Sequence, residues 1–157
     1  MITLAHVNSA QTRAYAGTLT GGVALHDALA QVAQTHAIQS GAVFLLGGLT
    51  RVEFTAYDFV TQTRHAPQVL EGALEIVGGH GTLSLLDGAP HVHLHLMLSQ
   101  RTPEGSQVTG GHCALALAWA VEFTLLAFDG APVTRGAHPQ TGLYLWQLPP
   151  FASSSQP

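Results

Sequence analysis

The segment Gly88-Ala-Pro-His91-Val-His93-Leu-His95-Leu-Met-Leu-Ser99 sets three histidines at alternate positions, with Val92, Leu94, Leu96 and Leu98 in the intervening register. Alternate side chains of a strand share a face, so one face is apolar and the other carries a ladder of imidazoles. The turn-like Gln100-Arg-Thr-Pro103-Glu104-Gly105 follows, and then Ser106 to His112. A hairpin centred on Pro103-Glu104 places His112 directly across from His95, on the same face and with Cβ atoms about 4.5 to 5.5 Å apart. Neutral imidazoles in a triangle of this size bind Zn²⁺ at about 2.0 to 2.1 Å and leave a fourth position for water or a ligand. A row of solvent-facing or hydrogen-bonded histidines without metal is the alternative; a His-x-His pair with a third histidine opposite favours metal. Spacing alone leaves open whether the pair is His91 with His93 or His93 with His95.

Gly110 and Gly111 lie just before His112, where a missing Cβ lets backbone or ligand come close. Cys113 follows His112 and is expected to point away from it. The remaining histidines, at 6, 26, 36, 65, 80 and 138, read as surface or capping groups. Glu122 is the one acid in the apolar run from Cys113 to Phe128, and such a carboxylate is either paired in the interior or placed for function; pairing is the expectation. Glu53 and Glu75 fit the wet faces of strands. There is no Ser-His-Asp order, P-loop or dinucleotide fingerprint, and Gly78-Gly-His-Gly81 precedes a strand instead of a helix.

The elements that must hold these residues follow from periodicity. Thr12 to Leu19 reads as a first strand ending at Gly21-Gly22. From Val23 to Ile38, Leu25, Leu29, Val32 and Ala33 recur at helical spacing opposite Asp27, Gln31, Gln34 and Thr35. Strands are expected at 42–46 and 50–57, broken at Gly47-Gly48, then at 69–77, 82–86, 92–99, 106 into the 120s, and 143–148. One early helix followed by many strands predicts an α+β domain on a largely antiparallel sheet. Residues 1–148 form the expected single domain, and 149–157, opening on Pro149-Pro150, the expected loose C-terminal tail.

Composition bounds the partners. The 157 residues include ten histidines, five arginines, no lysine and nine acids, a formal charge of −4. The arginines are scattered, so the chain lacks the basic cluster that displaces counterions from a phosphate backbone. The N-terminus lacks the pattern of a signal peptide, and the longest apolar stretch is too short for a membrane span, so a cytoplasmic location is expected.

Gly88-x-Pro90-x-Val92-His93-Leu94-His95 followed by Gly110-Gly111-His112 resembles the plants-and-prokaryotes-conserved (PPC) domain family. The likeness extends to the Leu29–Ile38 region with Ser40-Gly41-Ala42, to Leu74-Glu75-Ile76 with Gly81-Thr82-Leu83, and to Glu122. The resemblance implies that His93, His95 and His112 are the metal ligands, with His91 standing where the family has an apolar residue. It also implies a PPC-like α+β fold, a homotrimer, a divalent metal such as zinc and a small-molecule ligand. Acetolactate decarboxylase is similar in its own His-x-His and Gly-Gly-His zinc motif, which points to lyase-like or decarboxylase-like chemistry; a non-enzymatic oligomerisation or regulatory module is the alternative. The family's Gly-Glu before the helix is Gly21-Gly22 here, and Cys113-Ala-Leu-Ala follows His112 in place of the usual Leu and Gly-containing stretch. Plant relatives carry an AT-hook, and the label DNA-binding has spread from them; here the one Arg-Gly, Arg135-Gly136, precedes Ala137, so no such hook is present.

Overall fold

The structure, a computed structural model, describes residue 6 and residues 10–150. Its elements are β1 (Gln11–Thr20), α1 (Leu25–Thr35), β2 (Gly41–Thr55), β3 (Tyr57–Asp58), β4 (Thr63–Arg64), β5 (Gln68–Leu86), β6 (Ala89–Thr102), β7 (Gly105–Asp129), β8 (Arg135–Ala137) and β9 (Tyr144–Trp146). The main sheet runs β1-β7-β2-β5-β6 with a further β6–β7 pairing. β2, β5, β6 and β7 therefore close on one another in a small barrel-like sheet, and all its ladders are antiparallel. β7 pairs with β6 along its first part and with β1 along its last, while β2 runs beside most of its length.

Leu25, Leu29 and Ala33 line the inner side of α1 and are fully buried. They meet the apolar row predicted for β6, where Val92, Leu94, Leu96 and Leu98 are all buried. The helix thus packs on β6 and β7, the two strands that carry the predicted ligands. Its entrance is fixed to β7 by Gly22 N–H donating to the Ala118 carbonyl at 2.8 Å and Ala118 N–H donating to Val23 at 3.0 Å.

Two expected breaks are continuous strand. Gly47-Gly48 lies inside β2, where the ladder shifts register between Leu45 and Gly47 and again around Leu49. Residues 69–86 are likewise one strand, with a shift between Ile76 and Gly78 against β6. Glycine there permits a bulge, which bends and twists a strand without ending its pairing, as closure of a barrel requires. The short β3–β4 and β8–β9 hairpins lie outside the sequence expectations, apart from Tyr57 at the end of 50–57 and the overlap of β9 with 143–148. Of the expected tail, 151–157 lies outside the described residues. No helix among the described residues is long and apolar enough to cross a membrane.

Candidate metal centre

Between β5 and β6 the chain reverses on Asp87-Gly88, both with positive φ (51° and 80°), the conformation of a type I′ hairpin turn. The turn sets His80 opposite His95, Thr82 opposite His93 and Ser84 opposite His91. The β6–β7 hairpin sets His95 opposite His112, the register expected from the Pro103-Glu104 turn. At Gly110 the two strands approach so closely that a Cβ would collide with the Leu96 carbonyl, and at Gly81 one would collide with the His93 carbonyl. Gly111 has only ordinary contact with Phe54, at 3.9 Å.

These ladders bring His93, His95 and His112 together, with ring centroids 4.8 to 5.4 Å apart. One ligand nitrogen from each lies within 4.8 Å of the others, and the three could hold a metal ion. Nitrogens bound tetrahedrally at about 2.0 to 2.1 Å from one zinc are roughly 3.3 Å apart, and His93 Nε2 and His112 Nδ1 already lie 3.0 Å apart. The donor set fits as well: three neutral imidazoles, with no carboxylate or thiol among them. Cys113 points into the core, and burial pushes its thiol up to about 12, far from the thiolate a metal needs.

Electrostatics keep the imidazoles unprotonated. Burial pulls the His93 pKa down to about 4, with the charge of Arg135 and the neighbouring histidines adding to it. Burial is also the largest cause of the lowered values of His95, where His80 adds, and of His112, where His95 and then Arg64 add. An imidazole must be neutral to offer a lone pair, so the surroundings favour the ligating form near neutral pH.

Arg135, which no sequence pattern links to the histidines, is the nearest fixed cation. Its NH2 group donates to His93 Nδ1 at 3.2 Å and to Thr82 Oγ1 at 3.0 Å. Nε donates to Ser84 Oγ at 2.8 Å, and NH1 to the Tyr144 carbonyl at 3.1 Å. The guanidinium also lies over Trp146, its carbon 5.7 Å from the ring centroid. A guanidinium only donates, so His93 Nδ1 accepts and the ring proton sits on Nε2. That Nε2–H then donates to His112 Nδ1 at 3.0 Å.

The other candidates separate from this group. His91, half-buried opposite Ser84, is not part of the triangle. His80, read as a surface residue, is exposed but lies directly across from His95. Glu122 is neither paired in the interior nor near the histidines: it is exposed beside Leu46 and Thr18, ten residues along β7 from His112. Strand alternation turns it outward between the buried Val121 and Phe123. Two surface grooves, one bordered by Phe44, Leu46 and Glu122 and the other by Leu49, Arg101 and Trp119, also lie away from the cluster.

Residues 7–129 match the model of the Plants and Prokaryotes Conserved (PCC) domain. The chain belongs to this family. No curated protein matches it. Among solved structures it resembles a metal-containing protein from Archaeoglobus fulgidus with a TM-score of 0.80 at 24% identity, over 93% of this chain and 98% of that one. A plant- and prokaryote-conserved protein from Pyrococcus horikoshii aligns with a TM-score of 0.78 at 24% identity, over 88% and 94% of the two chains. A protein from Ralstonia eutropha to which DNA binding has been ascribed aligns at 0.75 and 20% identity, over 86% and 91%. At these identities the likeness establishes the PCC fold. The segment that carries Arg135 follows the residues matched by the family model.

Proposed function

We propose that this PCC-domain protein holds one divalent metal ion, zinc, on His93, His95 and His112, and that the open side of the ion binds a small ligand. The observation that carries this reading is the convergence of three neutral imidazole nitrogens within 4.8 Å, from two strands in a fixed register. The Archaeoglobus relative, described as metal-containing, supports it. When bound, a three-histidine zinc polarises a carbonyl or lowers the pKa of a bound water to about 7. The chain's own contribution is to fix three rings on a rigid hairpin, keep them unprotonated and leave one side open. Protein purified without an affinity His-tag should contain close to one metal per chain, and His93→Ala or His112→Ala should weaken binding by more than about a hundredfold. Wild-type protein that neither carries metal nor takes up added zinc or manganese contradicts the proposal.

The proposed assembly is a homotrimer formed through the outer face of the sheet. Phe44, Leu46 and Trp119 alternate with the buried Leu45 and Ala118 and are 51%, 58% and 70% exposed. Large apolar side chains grouped on one face of a small domain mark an interaction surface. Duplex DNA is not the proposed partner, because a lysine-free chain of formal charge −4 has little with which to neutralise phosphates.

A further inference from the structure

We infer that Arg135 makes the histidine site selective for an anion, and that the ligand it admits beside the metal is a carboxylate. The inference rests on the proposed metal site and specifies its ligand. Arg135 is a half-buried cation, yet among the described residues the ion pairs are made by Arg13 with Asp129 and by Arg51 with Glu53 and Glu71. Among the described residues, no Asp or Glu side chain pairs with Arg135 or with a site histidine. Every group that anchors Arg135 is neutral: the Ser84 and Thr82 hydroxyls, the Tyr144 carbonyl, His93 and the Trp146 ring. A charge withdrawn from water without a counter-ion is costly, so a guanidinium held this way awaits an anion. The arrangement is built, since Ser84 is fully buried and its hydroxyl oxygen accepts from Nε–H.

The hydrogen count favours a carboxylate. NH1 uses one of its two hydrogens on Tyr144, and NH2 uses both, on Thr82 and His93. His93 faces His112 through Nε2 and Arg135 through Nδ1. Once Nε2 serves as the ligand atom, the single ring proton belongs on Nδ1, which then cannot accept from Arg135. That leaves NH1 and NH2 each with a hydrogen that lacks an acceptor, and a carboxylate is the anion whose two oxygens take two guanidinium N–H groups at once. The charge balance agrees: three neutral imidazoles, a divalent cation and Arg135 leave the site strongly positive.

The test uses cobalt(II) as a spectroscopic substitute for zinc, with acetate, glycolate and pyruvate as carboxylate probes and ethylene glycol and acetone as neutral ones. Wild-type protein should bind one cobalt per chain, and its visible spectrum should shift saturably with the carboxylates and not with the neutral probes. Arg135→Gln should keep the cobalt band and lose about tenfold to a hundredfold in carboxylate affinity. Arg135→Lys, which keeps the charge but not the fork, should fall between the two. Equal carboxylate affinities in cobalt-loaded wild-type and R135Q protein would overturn the inference while leaving the metal site standing. Loss of cobalt from both R135Q and R135K would also overturn it, by making Arg135 a positioning residue for His93. Failure of wild-type protein to bind cobalt would overturn the metal site itself, and the inference with it.

Discussion

His93 is the residue on which the site turns, because it touches both His112 and Arg135. Its lowered pKa has a consequence for the metal-free protein. A histidine that titrates near 6.5 when unfolded but near 4 when folded binds more protons in the unfolded state at every pH between those values. Stability from keeping the ring neutral is therefore full above about pH 6.5 and is lost as the pH falls toward 4. His91, His95 and His112 shift in the same direction and add to the trend. Thermal melts of metal-free protein should show Tm falling between pH 7 and pH 4.5, and His93→Gln should flatten the fall; an unchanged Tm across that range contradicts the assignment. At this scale the shared face of the histidines was legible because strand alternation is strict: once Val92, Leu94, Leu96 and Leu98 face the core, His91, His93 and His95 cannot. Thr82 and Ser84 followed the same rule beside His80 and were overlooked. Arg135 was not legible, since a contact 42 residues distant along the chain leaves no local pattern.

At the scale of elements, two glycine pairs did different work from what the sequence suggested. Gly47-Gly48 and Gly78-Gly79 read as interruptions because glycine weakens a strand locally, but closure of the β2-β5-β6-β7 ring needs bends at those points. The β6–β7 hairpin was read in the correct register because Pro103-Glu104 fixes where the chain reverses and the buried face fixes parity. Gly110 and Gly111 are adjacent but unequal. Gly110→Ala forces a Cβ against the Leu96 carbonyl, a backbone atom that cannot step aside, and should destabilise the protein by about 1 to 3 kcal/mol and weaken metal binding by spreading the hairpin. Gly111→Ala meets only Phe54 at ordinary distance and should cost less than about 1 kcal/mol. Urea unfolding of the two variants checks the pair; equal losses would contradict this account of the hairpin.

For the whole molecule, charge and exposed apolar surface are what the proposed partners rest on. If the proposed homotrimer forms through the outer residues Phe44, Leu46 and Trp119, light scattering should report a trimer, and Trp119→Glu should shift it toward monomer while keeping the far-ultraviolet spectrum of the fold. A wild-type monomer would contradict the proposed assembly. The same surface, short of fixed cations, predicts no salt-dependent association with duplex DNA at low ionic strength. Family and fold class were legible at this scale because the His-x-His and Gly-Gly-His motifs and the strand-rich pattern cover most of the chain. The Arg135 cluster was not, because it joins Thr82, Ser84 and His93 to a segment some forty to fifty residues further along the chain.

The central claim is that three histidines on one face of a hairpin hold a metal. The most direct measurement is an anomalous difference map, recorded on both sides of the zinc edge, from crystals of tag-free protein soaked in zinc. A single peak in contact with His93, His95 and His112, with one coordination position directed away from the protein's own side chains, is the predicted result. A map with no peak among these three rings would contradict the account.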